Sequence, residues 1–191
     1  MIRNTTVTVC GPLNVNKLGV TYVHEHLMVK PQLPDEYYIP YTLDDEAAST
    51  EETRSFSAAG GETLVEMTPI NYGRNVKAYQ RIAQATGVHV ICCTGFHKQL
   101  FMPPWFGDKT DGELYDILMD EVTNGLDDTE IHPGVIKLGT SFEEVTAAEK
   151  RSIEAVARVH RDTGIPISTH CDKGTMGMDQ LRLLEKHGVD P

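Results

Sequence analysis

The regular alternation of strand-like and helix-like segments constrains the fold of this 191-residue chain more than any other feature. Apolar, β-branched runs are each followed by an amphipathic stretch, and glycine or proline stands at many of the boundaries. The predicted strands are 5–9, 21–26, 62–68, 88–94, 134–138 and 165–170. The predicted helices are 43–59, 74–86, 111–124, 146–163 and 178–187. After the leading strand this makes five βα units, which predict a parallel sheet with helices outside it.

Periodicity alone leaves two α/β architectures open. A doubly wound sheet and a β/α barrel both contain parallel strands that alternate with helices. The position of polar residues distinguishes them, because a barrel gathers the carboxyl ends of its strands around one site.

Local signals mark several element boundaries. Gly11 and Pro12 predict that strand structure breaks after the leading strand, and the proline-rich stretch 31–40 predicts an irregular loop. Thr146 is followed three residues later by Glu149, a capping box that predicts the start of the fourth helix.

Composition limits the class of protein. The chain has 17 Lys and Arg against 28 Asp and Glu, so its net charge of −11 disfavours nucleic-acid and anionic-membrane partners. A hydrophobic fraction of 40% supports a packed core, and the length suits one domain over 1–191. The absence of a signal peptide, of a membrane-spanning run and of a disulfide framework predicts a reduced, cytoplasmic protein. The cysteines are Cys10, Cys92, Cys93 and Cys171.

The first candidate site is the pair His24 and His26 in the first main strand. Residues two apart in a strand face the same side, so both imidazoles project together with Glu25 opposite. They are a start for a transition-metal site, and the alternative is a pair of hydrogen-bonded polar histidines. The long loop that follows favours the functional interpretation, because β/α enzymes place their chemistry there.

The second candidate is Lys137, inside the apolar fourth main strand. A charged lysine is costly to bury, so the ammonium must be paired or neutralised, or must reach solvent at the strand end. The functional alternatives are a Schiff-base lysine, a phosphate-binding lysine, or a lysine carboxylated by CO2 that bridges two metal ions.

The third candidate is His170, which closes the fifth main strand and precedes a polar loop. A single histidine at a strand end more often makes a structural hydrogen bond than a metal bond. Three polar strand ends would converge, however, if all these strands lie in one closed or nearly closed sheet. His97 follows the third main strand and is a further candidate.

This order of residues resembles the binuclear metal site of the amidohydrolase superfamily. His-x-His stands on the first main strand, lysine on the fourth and histidine on the fifth. Five stretches in sequence order are similar to the phosphotriesterase family. They are GVTYVHEHL at 19–27, GRN at 73–75, CTGF at 93–96, GVIKLGTS at 134–141 and TGIPISTH at 163–170.

The resemblance implies a TIM-type (β/α)8 barrel and a role for each candidate. His24 and His26 would bind the more buried metal ion, and His170 the more exposed one. Lys137 would be carboxylated and would bridge both. Two divalent ions, zinc or alternatively manganese or cobalt, would activate a hydroxide between them. His97 and Lys98 lie on the loop that resembles the substrate wall, where Lys98 contacts an anionic substrate group or is ordinary surface charge.

Two ligands of the family pattern have no counterpart here. The pattern places a histidine after strand six and an aspartate after strand eight, whereas the chain supplies five main strands. A (β/α)8 barrel has about 250 residues, so the expectation is a C-terminally incomplete barrel domain.

Three functions remain open from the sequence. The first is a metal-dependent hydrolase of an ester, a lactone, possibly a phosphorylated sugar lactone, or a phosphotriester. The second is a truncated, catalytically inactive metal-binding fragment, and the third is a binding module without metal. The retained His24, His26, Lys137 and His170 favour metal binding over the third. The expected partners are a small-molecule substrate and a second copy of the chain in a homodimer.

Overall fold

The computed structural model describes residues 4–31, 33 and 42–190. Its strands are β1 Thr5–Thr8, β2 Gly11–Asn14, β3 Thr21–Glu25, β4 Thr63–Glu66, β5 His89–Gly95, β6 Val135–Thr140 and β7 Ile167–Cys171. Its α-helices are α1 Glu46–Ala58, α2 Val76–Thr86, α3 Asp111–Asn124, α4 Ala147–Thr163 and α5 Gly177–Lys186. Most of the predicted proline-rich loop, including Pro34 and Pro40, lies outside the described residues.

The main sheet has the strand order of a barrel. Its five strands pair in parallel and in sequence order, β3-β4-β5-β6-β7, with one helix after each strand. A doubly wound sheet would reverse its order at a switch point, and these five strands do not. The prediction of five βα units in a barrel-type fold is therefore confirmed, and the described chain forms a half-barrel.

The segment after the leading strand differs from its prediction. Gly11–Asn14 is a second strand, β2, and pairs antiparallel with β1 from Thr8↔Gly11 to Thr5↔Asn14. The predicted break was wrong because Gly11, with φ +107°, serves the turn of a hairpin, and an edge strand accepts a proline such as Pro12. The Val9 N–H donates to the Val90 carbonyl over 2.9 Å, which docks the hairpin on β5.

Helix starts follow their caps. The capping box predicted at Thr146 and Glu149 is present at the start of α4, with the hydroxyl and carboxylate each accepting the other residue's backbone N–H. Helix α1 begins later than predicted because Asp45 caps it and accepts from the N–H groups of Ala47 and Ala48.

Burial is greatest in the middle of the sheet. Strand β6 is buried at every position, and β5 at every position except His89, as expected for strands covered on both faces. The edge strands are more open, and Val23 of β3 is 70% exposed. Among the described residues, no helix is long and apolar enough to cross a membrane.

Candidate metal centre

A bulge in β3 lies between Tyr22 and Glu25, in the segment that carries the first candidate ligand, His24. Tyr22 pairs with Leu64 and Glu25 with Glu66, so β3 uses one more residue than β4 over the same span. The Tyr22 ring contacts Phe56 of α1 outside the sheet, with ring centroids 4.7 Å apart. The rings of His24 and His26 lie 5.5 Å apart, and His24 reaches Lys137 of β6.

Lys137 is fully buried in the middle of the sheet, which excludes the alternative in which its ammonium reaches solvent at the strand end. Its Nζ lies 2.9 Å from His24 Nε2, which joins β6 to β3. Burial is the main cause that lowers the pKa of Lys137 to about 8. The buried environment of Lys137 therefore favours the neutral form of its amine more strongly than an aqueous environment would.

The histidines are held in their neutral form. Burial, followed by the charge of Lys137, lowers the pKa of His24 to about 4 and that of His26 to about 3. The same two causes lower the pKa of His170. Neutral imidazole is the form of histidine that binds metal ions.

Thr68 and Glu66 support His26, and the sequence did not predict that either residue belongs to the site. Thr68 Oγ1 lies 2.8 Å from His26 Nδ1, and Thr68 N–H donates to Glu66 Oε1 over the same distance. The Leu27 N–H donates to the other oxygen of Glu66. The Glu66 carboxyl is fully buried, and this burial raises its pKa to about 7. An acceptor at Nδ1 of His26 leaves Nε2 for a metal ion, the usual arrangement around ligating histidines. The sequence signal was a polar residue at the end of an apolar strand.

His170 and His97 form a second pair of rings. Their centroids are 4.6 Å apart, and His97 is buried against Tyr72 and Phe101. Burial lowers the pKa of His97 well below its usual value. His170 Nε2 is also buried, and it makes no hydrogen bond within the described part of the chain. A buried nitrogen without a partner fits a ligand to a metal ion.

Lys98 pairs with an acidic residue that follows β7. Its Nζ lies 2.7 Å from Asp172 Oδ2, and the same carboxylate approaches His170 Nε2 to 3.9 Å through Oδ1. Hydrogen bonding to Lys98 is the main cause that lowers the pKa of Asp172.

The structure thus brings the six predicted residues together in two linked groups. His24, His26 and Lys137 form one, and His97, His170 and Lys98 form the other. Lys137 is the third residue of β6, and the other five lie near the carboxyl ends of strands or just after them. Over residues 4–31, 33 and 42–190, no three His, Cys, Asp or Glu side chains form a cluster that could hold a metal ion. The neutral imidazoles of His24 and His26 and the unpartnered His170 Nε2 fit metal ligands, and Lys137 would have to add donor atoms to them.

The sequence matches the model of the phosphotriesterase family over residues 4–191. The chain belongs to the phosphotriesterase family. It is 34% identical to the phosphotriesterase homology protein of Escherichia coli, over 93% of this chain and 61% of that relative. It is 32% identical to a phospho-furanose lactonase of Mycoplasmopsis synoviae, over 96% of this chain and 57% of that relative.

Solved structures of the phosphotriesterase family confirm the fold. A lactonase from Listeria monocytogenes matches with a TM-score of 0.91 and 30% identity, over 97% of this chain and 62% of that one. The chain thus spans about 60% of the length of the relatives it matches. Its five βα units correspond to part of the family's TIM-type barrel, in the amidohydrolase superfamily.

Proposed function

We propose that this phosphotriesterase-family chain supplies four ligands of a binuclear metal centre in a hydrolase of ester bonds. His24 and His26 bind one divalent ion, His170 binds the other, and carboxylated Lys137 bridges both. The observation that carries the proposal is the fully buried Lys137, whose Nζ lies 2.9 Å from His24 Nε2.

We propose zinc as the metal ion, with manganese or cobalt as alternatives. Imidazole nitrogens and carbamate oxygens are ligands that these ions share. Divalent ions, when bound, supply Lewis-acid chemistry and lower the pKa of water to about 7. The chain's own residues orient the ligands, since Thr68 Oγ1 holds His26 Nδ1 at 2.8 Å.

Carboxylation of the Lys137 amine needs CO2 and no other reactant. The lone pair of the neutral amine attacks the carbon of CO2, the N–C bond forms as one C–O π pair moves to oxygen, and one N–H proton passes to water. The product is a carbamate with one negative charge in place of the neutral amine beside His24. The lowered pKa of Lys137, about 8, supports this step because it leaves part of the amine unprotonated near pH 7.

The substrate we propose is a lactone, including phosphorylated sugar lactones. The relatives from Mycoplasmopsis synoviae and Listeria monocytogenes are named as lactonases. A phosphotriester is the alternative that the family name supports. We propose that His97, stacked against His170 at 4.6 Å between ring centroids, contacts the substrate.

Elemental analysis of the purified chain tests the metal centre. We expect zinc, manganese or cobalt above background in the wild type and a loss of metal in His24→Ala and His170→Ala. His187→Ala, at the end of α5, is the matched control and should retain the metal. Metal at background level in the wild type would contradict the proposal. Incubation with 13C-labelled bicarbonate should add a carbamate carbon signal that Lys137→Met lacks.

Assays against lactones and phosphotriesters test the hydrolytic activity. Hydrolysis should be abolished by a chelator and by His170→Ala, and restored to the chelated wild type by zinc. A chain that binds metal and hydrolyses no member of either panel would contradict the hydrolytic part of the proposal while retaining the metal centre.

A further inference from the structure

We propose that Lys98 and Asp172 are a positioning pair that fixes the orientation of the His170 ring. The Asp172 carboxylate binds Lys98 Nζ through Oδ2 at 2.7 Å, whereas its Oδ1 lies 3.9 Å from His170 Nε2, which is too long for a hydrogen bond. The pair therefore acts on His170 through the loop that carries His97, whose ring stacks on the His170 ring. The inference rests on the proposed function, because it assigns the pair to a histidine that binds a metal ion.

The pair differs from an ordinary surface ion pair in its burial. The Lys98 and Asp172 side chains are 18% and 22% exposed, whereas the side chains of the surface pair Lys30 and Asp44 are 70% and 52% exposed. Partial burial reduces solvent screening, so the charges interact more strongly than those of an exposed pair. The neighbouring Lys173 instead lies over the ring of Phe142, 4.7 Å from its centroid.

The backbone of Lys98 is also hydrogen-bonded to a residue of the site, His97. The Lys98 N–H donates to His97 Nδ1 over 2.7 Å, which fixes the ring that stacks on His170. Gly139 of β6 permits this approach, because a Cβ there would lie 2.9 Å from the Lys98 nitrogen and 3.2 Å from His97 Nδ1.

A second carboxylate holds the next residue of the loop. Glu149 is fully buried and accepts from the Gln99 N–H over 2.9 Å and from the Ser141 hydroxyl over 2.6 Å. The loop after β5 is therefore tied to the ends of β6 and β7 at consecutive residues. The Lys98 side chain bridges to β7, the strand that carries His170.

This geometry gives Lys98 a role in the site without contact to substrate. If the ammonium is removed, the Asp172 carboxylate loses its partner and is free to turn. The loop after β5 then loses its ion pair to the end of β7, so the stacked rings of His97 and His170 are held less firmly against each other. A guanidinium at position 98 can restore the ion pair, and an apolar side chain cannot.

NMR of the histidine side chains in the metal-free chain tests the inference directly. Long-range 1H–15N spectra report the tautomer and environment of each imidazole, and His170→Ala assigns the His170 signals. We expect Lys98→Met and Asp172→Asn to shift or broaden the His170 signals, and Lys98→Arg to restore them. Lys173→Met is the matched control and should leave them in place. Unchanged His170 signals in Lys98→Met, or equal changes in Lys173→Met, would overturn the inference.

Metal titration separates this inference from the proposed function. Where the wild type binds metal, Lys98→Met should weaken binding by about 10- to 100-fold, the usual cost of losing a group behind a ligand. The double variant Lys98→Met/Asp172→Asn should lose less than the product of the two single losses, because each single change breaks the same pair. A wild type without metal uptake contradicts the proposed function, and the NMR comparison still decides the positioning role.

Discussion

The side-chain nitrogen of Lys137 lies 2.9 Å from Nε2 of His24, although 113 positions separate the two residues in the chain. The contact joins the first strand of the main sheet to the fourth, across β4 and β5. Both partners carry pKa values lowered chiefly by burial. Such a pair costs folding free energy in the absence of a ligand, and this cost is measurable.

Replacing Lys137 by methionine should abolish metal uptake and leave the metal-free fold intact. Methionine fills a similar volume without a buried amine, so the free energy of unfolding should stay equal or rise by about 1–2 kcal/mol. Urea unfolding measures the stability, and Lys17→Met, at an exposed position, is the control. A loss of more than about 2 kcal/mol in Lys137→Met would contradict this expectation.

Thr68→Val should weaken metal binding by about tenfold or more and cost about 1–3 kcal/mol of stability, because it leaves a buried hydrogen-bond partner unsatisfied. The substitution keeps the shape of the side chain but removes the oxygen that lies 2.8 Å from His26 Nδ1, so the imidazole is free to turn. Cobalt titration followed by absorbance measures the affinity. Thr68→Ser retains the hydroxyl and should bind as the wild type does. Equal affinities in the valine and serine variants would exclude the hydroxyl as a determinant of the His26 orientation.

Gly95→Ala should destabilise the chain by at least about 2 kcal/mol. Gly95 ends β5 with φ +109°, and a Cβ there would lie 2.0 Å from the carbonyl oxygen of Lys137. Gly107→Ala is the matched control, because a Cβ at Gly107 meets no atom within 4 Å. Thermal unfolding should show a clear fall in Tm for Gly95→Ala alone. Comparable Tm values for the two variants would argue against close packing at the Lys137 backbone.

Arg74→Met should cost about 3–5 kcal/mol of stability. The Arg74 side chain is 5% exposed and binds Glu121 at 2.6 Å and Asp127 at 2.5 Å, so its removal leaves a carboxylate of low exposure without its cation. Arg81→Met removes an exposed pair with Glu46 and should cost less than about 1 kcal/mol. Chemical denaturation of both variants measures the difference. Similar losses would mean that the Arg74 cluster is no more important than a surface pair.

The sequence predicted the parts of the site that obey simple periodicity. His24, His26, Lys137 and His170 stand out because polar side chains interrupt or end apolar strands, and parallel strands bring such ends together. The exact facing of His24 depends on the β3 bulge, which no pattern of alternation reveals.

Other parts of the structure arise from contacts between distant segments. Thr68 supports His26 across 42 positions, and Asp172 pairs with Lys98 across 74. In both pairs the residues are too far apart in the sequence for one to predict the other. The β1-β2 hairpin was missed because Gly11 and Pro12 break most strands, whereas here an edge position and a turn accommodate them.

The candidate ligands lie on the first and last strands of the main sheet, since β3 carries His24 and β7 carries His170. A binuclear centre built from groups at both ends of the sheet and joined through Lys137 of β6 would work as a crosslink across its width. Occupancy of the centre and curvature of the sheet are then thermodynamically linked, so that each stabilises the other. A measured metal affinity would therefore also report the distance between the two edge strands, β3 and β7, in the metal-free chain.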